Sequence, residues 1–307
     1  MILRRLVLLA VLAAVTPALA ESAPVDPKRF GLRTPDLAYG AYQRGLFITA
    51  LNLAKPRAEA GDAAAQALVA EIYGNGLGVK RDAAEAAKWY RAAADQGVAE
   101  AQFRYALILL DGEIVAKDEK RGGELMKAAA DAGNMLAAFN YAQLLLSREP
   151  GPAGLAEATK YYRSAAEAGL PDAQFAMAEL AAGGDGAVGA DEAKARQWYE
   201  KAARAGFDTA ELMLGVWLIE GRGGPVDRKA GFAWLLRAAR QGNAVAQARV
   251  AKLYMAGIGV EPDTLSAAAW TIRARRAGLK DADLADFMDG LTDDETKKAL
   301  AKADAPL

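Results

Sequence analysis

The chain has no cysteine and no histidine among its 307 residues. Without a thiol there is no disulfide framework, no cysteine nucleophile and no thiolate metal site. Without an imidazole there is no Ser-His-Asp triad and no His-ligated zinc or haem. Serine is scarce too: Ser22, Ser147, Ser164 and Ser266 are all there are, and none is followed three residues later by lysine, so the S-x-x-K acylation motif is missing. No Walker loop or dinucleotide fingerprint occurs. Gly74, Gly76 and Gly78 lie close together but without the lysine that a phosphate site needs. Aspartate and glutamate are plentiful, yet nothing singles out a catalytic pair. No enzymatic activity and no cofactor are expected.

Excess charge is also lacking. The 38 basic and 39 acidic residues leave a net charge of -1, which gives no electrostatic reason to expect nucleic acid or an anionic membrane as partner. Hydrophobic residues make up 53%, ample for a core. The one strongly apolar stretch is N-terminal. Residues 1–20 read MILRRLVLLAVLAAVTPALA, with Arg4 and Arg5 ahead of ten apolar residues, then Thr16 and Pro17, then Ala18-Leu19-Ala20. This pattern predicts a secretory signal peptide cleaved after Ala20, since a bilayer crossing needs roughly 20 apolar residues. No membrane insertion is expected after cleavage, and no cysteine follows to carry a lipid. The alanine-rich leader points to the bacterial periplasm.

What is abundant is repetition. Gly61, Gly97, Gly133, Gly169, Gly206, Gly242 and Gly278 are spaced by 36 or 37 residues. Four residues after the first six stand Ala65, Ala101, Ala137, Ala173, Ala210 and Ala246. Nine after stand Ala70, Ala106, Ala142, Ala178, Gly215 and Ala251. Near the end of each unit come Ala93, Ala129, Ala165, Ala202, Ala238 and Ala274. Each is preceded four residues earlier by a bulky pair, as in Trp89-Tyr90, Tyr161-Tyr162 and Trp198-Tyr199.

Each unit reads as two helices. Glycine ends the first at Gly76, Gly112, Gly184, Gly221 and Gly257. Aspartate opens the second at Asp82, Asp118, Asp191, Asp227 and Asp263, where its carboxylate meets the free N–H groups of the first turn. Asp82 with Glu85, and Thr292 with Glu295, have capping-box spacing. A lone hairpin cannot bury its apolar faces, so stacking follows. The expected fold is all-α, a right-handed α/α solenoid of about six 36-residue helical hairpins.

The string A-x-A-Q-x6-Y-x-x-G-x-G-V over residues 63–79, followed by D-x-x-x-A-x-x-W-Y-x-x-A-A over 82–94, resembles the Sel-one-like repeat family, relatives of tetratricopeptide repeats. The resemblance covers six units and implies a protein-binding adaptor, and for an exported bacterial member a regulator or envelope-associated protein. Cysteine-rich members are linked to β-lactam chemistry; their cysteines are absent here, so that activity is not carried over. The domain plan is a signal peptide (1–20), a linker (21–36), a degenerate half-repeat or cap (37–60), six repeats (61–278) and a C-terminal helical cap (279–307). The cap reads as helices over 281–291 and 292–303, and its acids lack EF-hand spacing.

The third unit has Ser147, Pro150, Gly151, Pro152 and Gly154 where the others have a glycine pair and an aspartate, which predicts an irregular loop over 147–154. The fourth carries one extra residue over 183–190. Both read as tolerated variation. Positions six, ten and thirteen after the repeat glycine share a face of the first helix: Phe103, Leu107 and Leu110; Phe139, Gln143 and Leu146; Phe175, Glu179 and Ala182. These form a candidate partner-binding groove for a peptide or helix, unless the phenylalanines pack between repeats. The tryptophans at the repeat period are expected to pack within hairpins, and Trp217, in the column of Ile72, Ile108, Leu144, Leu180 and Leu253, to be buried. The expected partner is a protein; a cell-wall glycan is the alternative.

Overall fold

A computed structural model of the protein describes residues 36–183 and 190–306. The expected signal peptide, nearly all of the expected linker, Gly184 and most of the 183–190 segment of the fourth unit lie outside the described residues. All regular structure among them is helical: α1 (Leu37–Gln43), α2 (Phe47–Glu59), α3 (Ala63–Asn75), α4 (Ala83–Asp95), α5 (Ala99–Asp111), α6 (Glu119–Asp131), α7 (Met135–Arg148), α8 (Pro152–Glu167), α9 (Pro171–Gly183), α10 (Glu192–Arg204), α11 (Asp208–Glu220), α12 (Arg228–Arg240), α13 (Ala244–Ala256), α14 (Thr264–Arg276), α15 (Ala282–Asp289) and α16 (Asp293–Asp304). The repeats are the hairpins α3–α4, α5–α6, α7–α8, α9–α10, α11–α12 and α13–α14, so the fold is an all-α solenoid of six hairpins. The chain divides into two compact units, Met1–Ala168 and Gly169–Leu307.

Within each unit every helix of the repeats packs on the next in sequence. The three alanine columns make this possible. Ala101, Ala137 and Ala106 are fully buried in the first unit, and Ala173, Ala178, Ala210 and Ala246 in the second. A methyl group at most crossings lets backbones approach closely while keeping the best helix propensity.

The boundaries follow the sequence signals. Gly76, Gly112, Gly221 and Gly257 cap the first helices with φ of 65–82°, a left-handed conformation that a side chain strains. All five aspartates cap the second helices through their side chains. Each also donates its own N–H back to the first helix of its hairpin: Asp82 to Tyr73 O (3.0 Å), Asp118 to Leu109 O (3.0 Å), Asp191 to Ala181 O (2.8 Å), Asp227 to Leu218 O (2.8 Å) and Asp263 to Tyr254 O (3.2 Å). That bond explains one departure from expectation. Asp82 and Glu85 do not close a reciprocal capping box, because Tyr73 O already occupies the Asp82 N–H. The Glu85 carboxylate instead accepts from Trp89 Nε1 (2.9 Å) and Lys88 Nζ (2.9 Å). At Thr292, whose N–H is unclaimed, the box closes in full.

The third turn is also shorter than expected. α7 runs on through Ser147 and Arg148, and α8 begins at Pro152, leaving only Glu149–Gly151 between them. Proline suits a first helical position, because the N–H it lacks has no intrahelical acceptor there. α8 therefore spans 16 residues where its counterparts span 13. After the last repeat, α16 packs on α14. Asp281 and Asp283 pair with Lys252, and Asp304 with Arg276.

Candidate partner-binding surface

The residues of the expected groove fall into distinct roles. In the first unit Phe103 on α5 is buried at 4% exposure, so it supplies core rather than contact surface. Leu107, one turn on, is 36% exposed, and Leu110 is half-buried. Leu110 faces Gly122 on α6 so closely that a Cβ there would stand 2.9 Å from its Cγ. On α7, Phe139 tilts against Tyr162 of α8 with ring centroids 5.5 Å apart, while Gln143 and Leu146 are half-buried beside it. The accessible part of this face is therefore led by Leu107, with Leu110, Phe139, Gln143 and Leu146 half-buried and Phe103 buried in the core.

In the second unit Phe175 on α9 packs against Tyr199 and Phe207, at 5.8 and 5.2 Å. Glu179 accepts a short hydrogen bond from the Tyr199 hydroxyl. The same brace occurs in the first unit, where Tyr90 Oη donates to Glu71 Oε2 at 2.6 Å. Burial, with the adjacent carboxylate, pushes both phenols well above the usual tyrosine range. Tyr162, without such a carboxylate, is pushed up to about 12 by burial alone.

The tryptophans are not open stacking platforms. Trp217 is buried, edge-on to Tyr199 at 5.1 Å and under the Arg222 guanidinium at 4.0 Å. Trp198, Trp234 and Trp270 each lie beneath a cation three residues on: Lys201 at 3.8 Å, Arg237 at 5.3 Å and Arg273 at 5.1 Å.

A polar position that the sequence reading passed over lies five residues after the repeat glycine. Gln66, Gln102 and Gln247 each donate to a carbonyl of the preceding second helix, those of Ala58, Ala94 and Ala239. Glu211 takes this place in the fifth repeat. It is wholly buried, accepts from Gln241 Nε2 on both oxygens (3.0 and 2.9 Å) and pairs with Arg237 Nε at 2.9 Å. Burial raises its pKa, opposed by Gln241 and Arg237. The signal was available: glutamate stands in a column that elsewhere holds mostly glutamine. In the first repeat Gln96 Nε2 supplies the matching donor to Gln66 Oε1 at 2.8 Å. In the last repeat Ala277 stands where Gln96 and Gln241 do, and Gln247 Oε1 is buried without a hydrogen bond.

Among the described residues no group of three or more His, Cys, Asp or Glu is placed to hold a metal ion, and no helix is long and apolar enough to cross a membrane. The surface is one of stacked helix faces, suited to holding another macromolecule. This defines a helical-hairpin repeat array of the interaction-scaffold class.

The Sel1 repeat model matches six times, at residues 63–98, 99–134, 136–170, 171–207, 209–243 and 244–279. The chain belongs to the Sel1 repeat family, whose members generally act as non-catalytic scaffolds for protein interaction. It is similar to a solved structure described as a protective antigen present in uropathogenic Escherichia coli strains displaying an SLR fold, at 25% identity and a TM-score of 0.70, over 87% of this chain and 60% of that one. The chain thus spans less than two thirds of that protein's length. It is also similar to a Sel1 repeat protein from Oxalobacter formigenes, at 26% identity and a TM-score of 0.66, over 81% of this chain and all of that one. No curated protein sequence matches it.

Proposed function

We propose that the protein is an exported bacterial scaffold that holds a protein partner in the periplasm, in the service of an envelope signalling or assembly system. The observation that carries this reading is the run of six Sel1 repeats behind a leader-like segment of two arginines and ten apolar residues. The contact surface in the first unit is the outer part of the first-helix face, Leu107 and Leu110 with Phe139, Gln143 and Leu146; Phe103 shapes it from beneath. In the second unit the matching face is carried by α9, where Phe175 and Glu179 are engaged by Tyr199. The protein acts by binding, without a catalytic step of its own.

The test has two readouts. Residues 1–25 fused to a leaderless alkaline phosphatase should give phosphatase activity in a bacterial periplasm; an inactive fusion retained in the cytoplasm overturns the export reading. A photo-crosslinking residue at Leu107 or Leu146 should give a discrete protein adduct in cells. Sedimentation of the protein with peptidoglycan, and no protein adduct, would replace the scaffold reading with the glycan one.

A further inference from the structure

The last turns of the second helices carry opposite charge in the two units. Two residues before the repeat glycine stand Glu59, Asp95, Asp131 and Glu167 in the first unit, and Arg204, Arg240 and Arg276 in the second. All seven are exposed. Five before the glycine stand Pro56, Ala92, Ala128 and Ser164, against Lys201, Arg237 and Arg273. Six before stand Lys55, Arg91, Lys127 and Arg163, against Glu200, Leu236 and Ile272.

The first unit is consequently balanced, with a base one turn ahead of each acid; Lys127–Asp131 closes at 2.6 Å and Arg91–Asp95 at 3.8 Å. In the second unit two of the three balancing positions are apolar, and Arg275 adds a further cation. Some of this charge is engaged: Arg204 by Glu200 (2.5 Å), Arg237 by Glu211, Arg276 by Asp304 (2.7 Å), and Arg273 by the carbonyls of Lys302 and Ala305. Lys201, Arg240 and Arg275 are exposed and have no ion pair among the described residues. The excess is positive in a chain whose net charge is close to zero.

Helix energetics favour cations at a C-terminus. The first unit shows that these helices do not require them, since the same turns there end on acids. The stacking register also brings the cations into a row. The turn glycines Gly223 and Gly259 press on the start of the preceding second helix, so that a Cβ would fall 2.2 Å from Glu192 O and 2.1 Å from Arg228 O. The far ends meet as well: a Cβ on Gly206, just past α10, would stand 3.9 Å from Arg237 Nη2 of α12, and Gly242, just past α12, lines one cleft with Arg273 and Arg276 of α14, so the last turns form one ridge. It ends at an open cleft of about 520 Å³ lined by Arg273, Arg276, Gln247 and Ala277.

We propose that this ridge, the last turns of α10, α12 and α14, docks an acidic segment of a partner protein. Carboxylates at intervals along such a segment meet cations that recur once per repeat, and the tryptophans beneath them hold Lys201, Arg237 and Arg273 in place. The proposal rests on the scaffold reading and names the chemistry of the partner. It leaves the first-helix face to the crosslinking test above, so the two fail separately.

The experiment uses the mature protein and a fluorescent peptide of alternating glutamate and alanine, with the matching lysine peptide and phosphatidylglycerol vesicles as comparison probes. The glutamate peptide should bind, and weaken as salt rises from about 50 to about 300 mM, because exposed charges are screened. Lys201→Glu, Arg240→Glu and Arg275→Glu together should weaken it by about tenfold or more. Lys55→Glu with Arg163→Glu, the same manipulation in the first unit, should leave it unchanged. All five substituted cations are exposed, and an unchanged circular dichroism melt verifies the fold of each variant. Equal binding by wild type and triple variant overturns the proposal, as does binding to the vesicles without binding to the peptide.

Discussion

In the fifth hairpin, α11 and α12 meet backbone to backbone. A Cβ on Gly231 would stand 2.6 Å from Gly215 O, and one on Gly215 would stand 2.6 Å from Leu235 Cγ. In the third hairpin the same two columns hold Ala142 and Ala158, both fully buried. The fifth carries a buried glutamate at its polar position; the third has Ala138 there. The fifth opens its second helix with Asp227, while the third opens with Gly151 and Pro152 and no side-chain cap. One repeat plan thus tolerates two ways of closing a hairpin: tight contact with a buried charge, or alanine packing with a proline-led longer helix.

The sharpest way to break this comparison is Gly231→Ala. The new methyl meets a backbone oxygen that cannot swing aside, and we expect a loss of about 2–3 kcal/mol in urea denaturation, as for an overpacked core. The reverse change in the third hairpin, Ala158→Gly, should cost only about 1 kcal/mol from helix propensity and lost packing. Equal losses would refute the difference in approach.

Next in size is Glu211→Ala, which strands Gln241 and Arg237; the expected loss is about 2 kcal/mol. Glu211→Gln isolates the charge. The folded state raises the Glu211 pKa, so it binds the proton more tightly than the unfolded chain does. The stability this provides is present below the unfolded value of about 4.3 and is lost as pH rises through the folded one. The Gln variant should flatten that part of the stability–pH curve. An unaltered curve would mean that Glu211 does not titrate differently in the two states.

The smallest effect serves to sharpen the contrast. Gly151 has an extended backbone (φ 178°) and open space around its Cβ position. Gly151→Asp should supply the missing cap and raise stability by about 0.3–0.5 kcal/mol, since glycine is itself a fair cap. A melting temperature that falls would show that the third turn excludes a carboxylate.

Much of this architecture was legible because its signals repeat. One glycine or aspartate says little, but seven glycines at a constant period, with alanines at fixed offsets, leave few structures that bury them all. Trp217 was legible for the same reason, as the large member of an apolar column. Less legible was whatever depends on two partners competing for one atom. Glu85 sits at box spacing, yet the Asp82 N–H is already bound to Tyr73 O. Glu179 shares a face with Phe175, yet Tyr199 takes it up. The turn over 147–154 read as loop from its prolines and glycines, although proline at the first helical position extends α8. The surface itself was the least legible part, because exposure along a shared face is set by neighbouring hairpins. Phe103 and Leu107 sit one turn apart, and only the leucine reaches solvent.

The N–H that each capping aspartate donates back to its own first helix has a kinetic consequence. These links close loops of about ten residues, and polar contacts between neighbouring hairpins, such as Asn134 to Glu100 and Arg222 to Glu192, span no more than one repeat. A hairpin knit by such short closures meets little entropic barrier to its own assembly. Folding then has no privileged starting point, and a hairpin formed anywhere along the array serves as the template on which the next one settles.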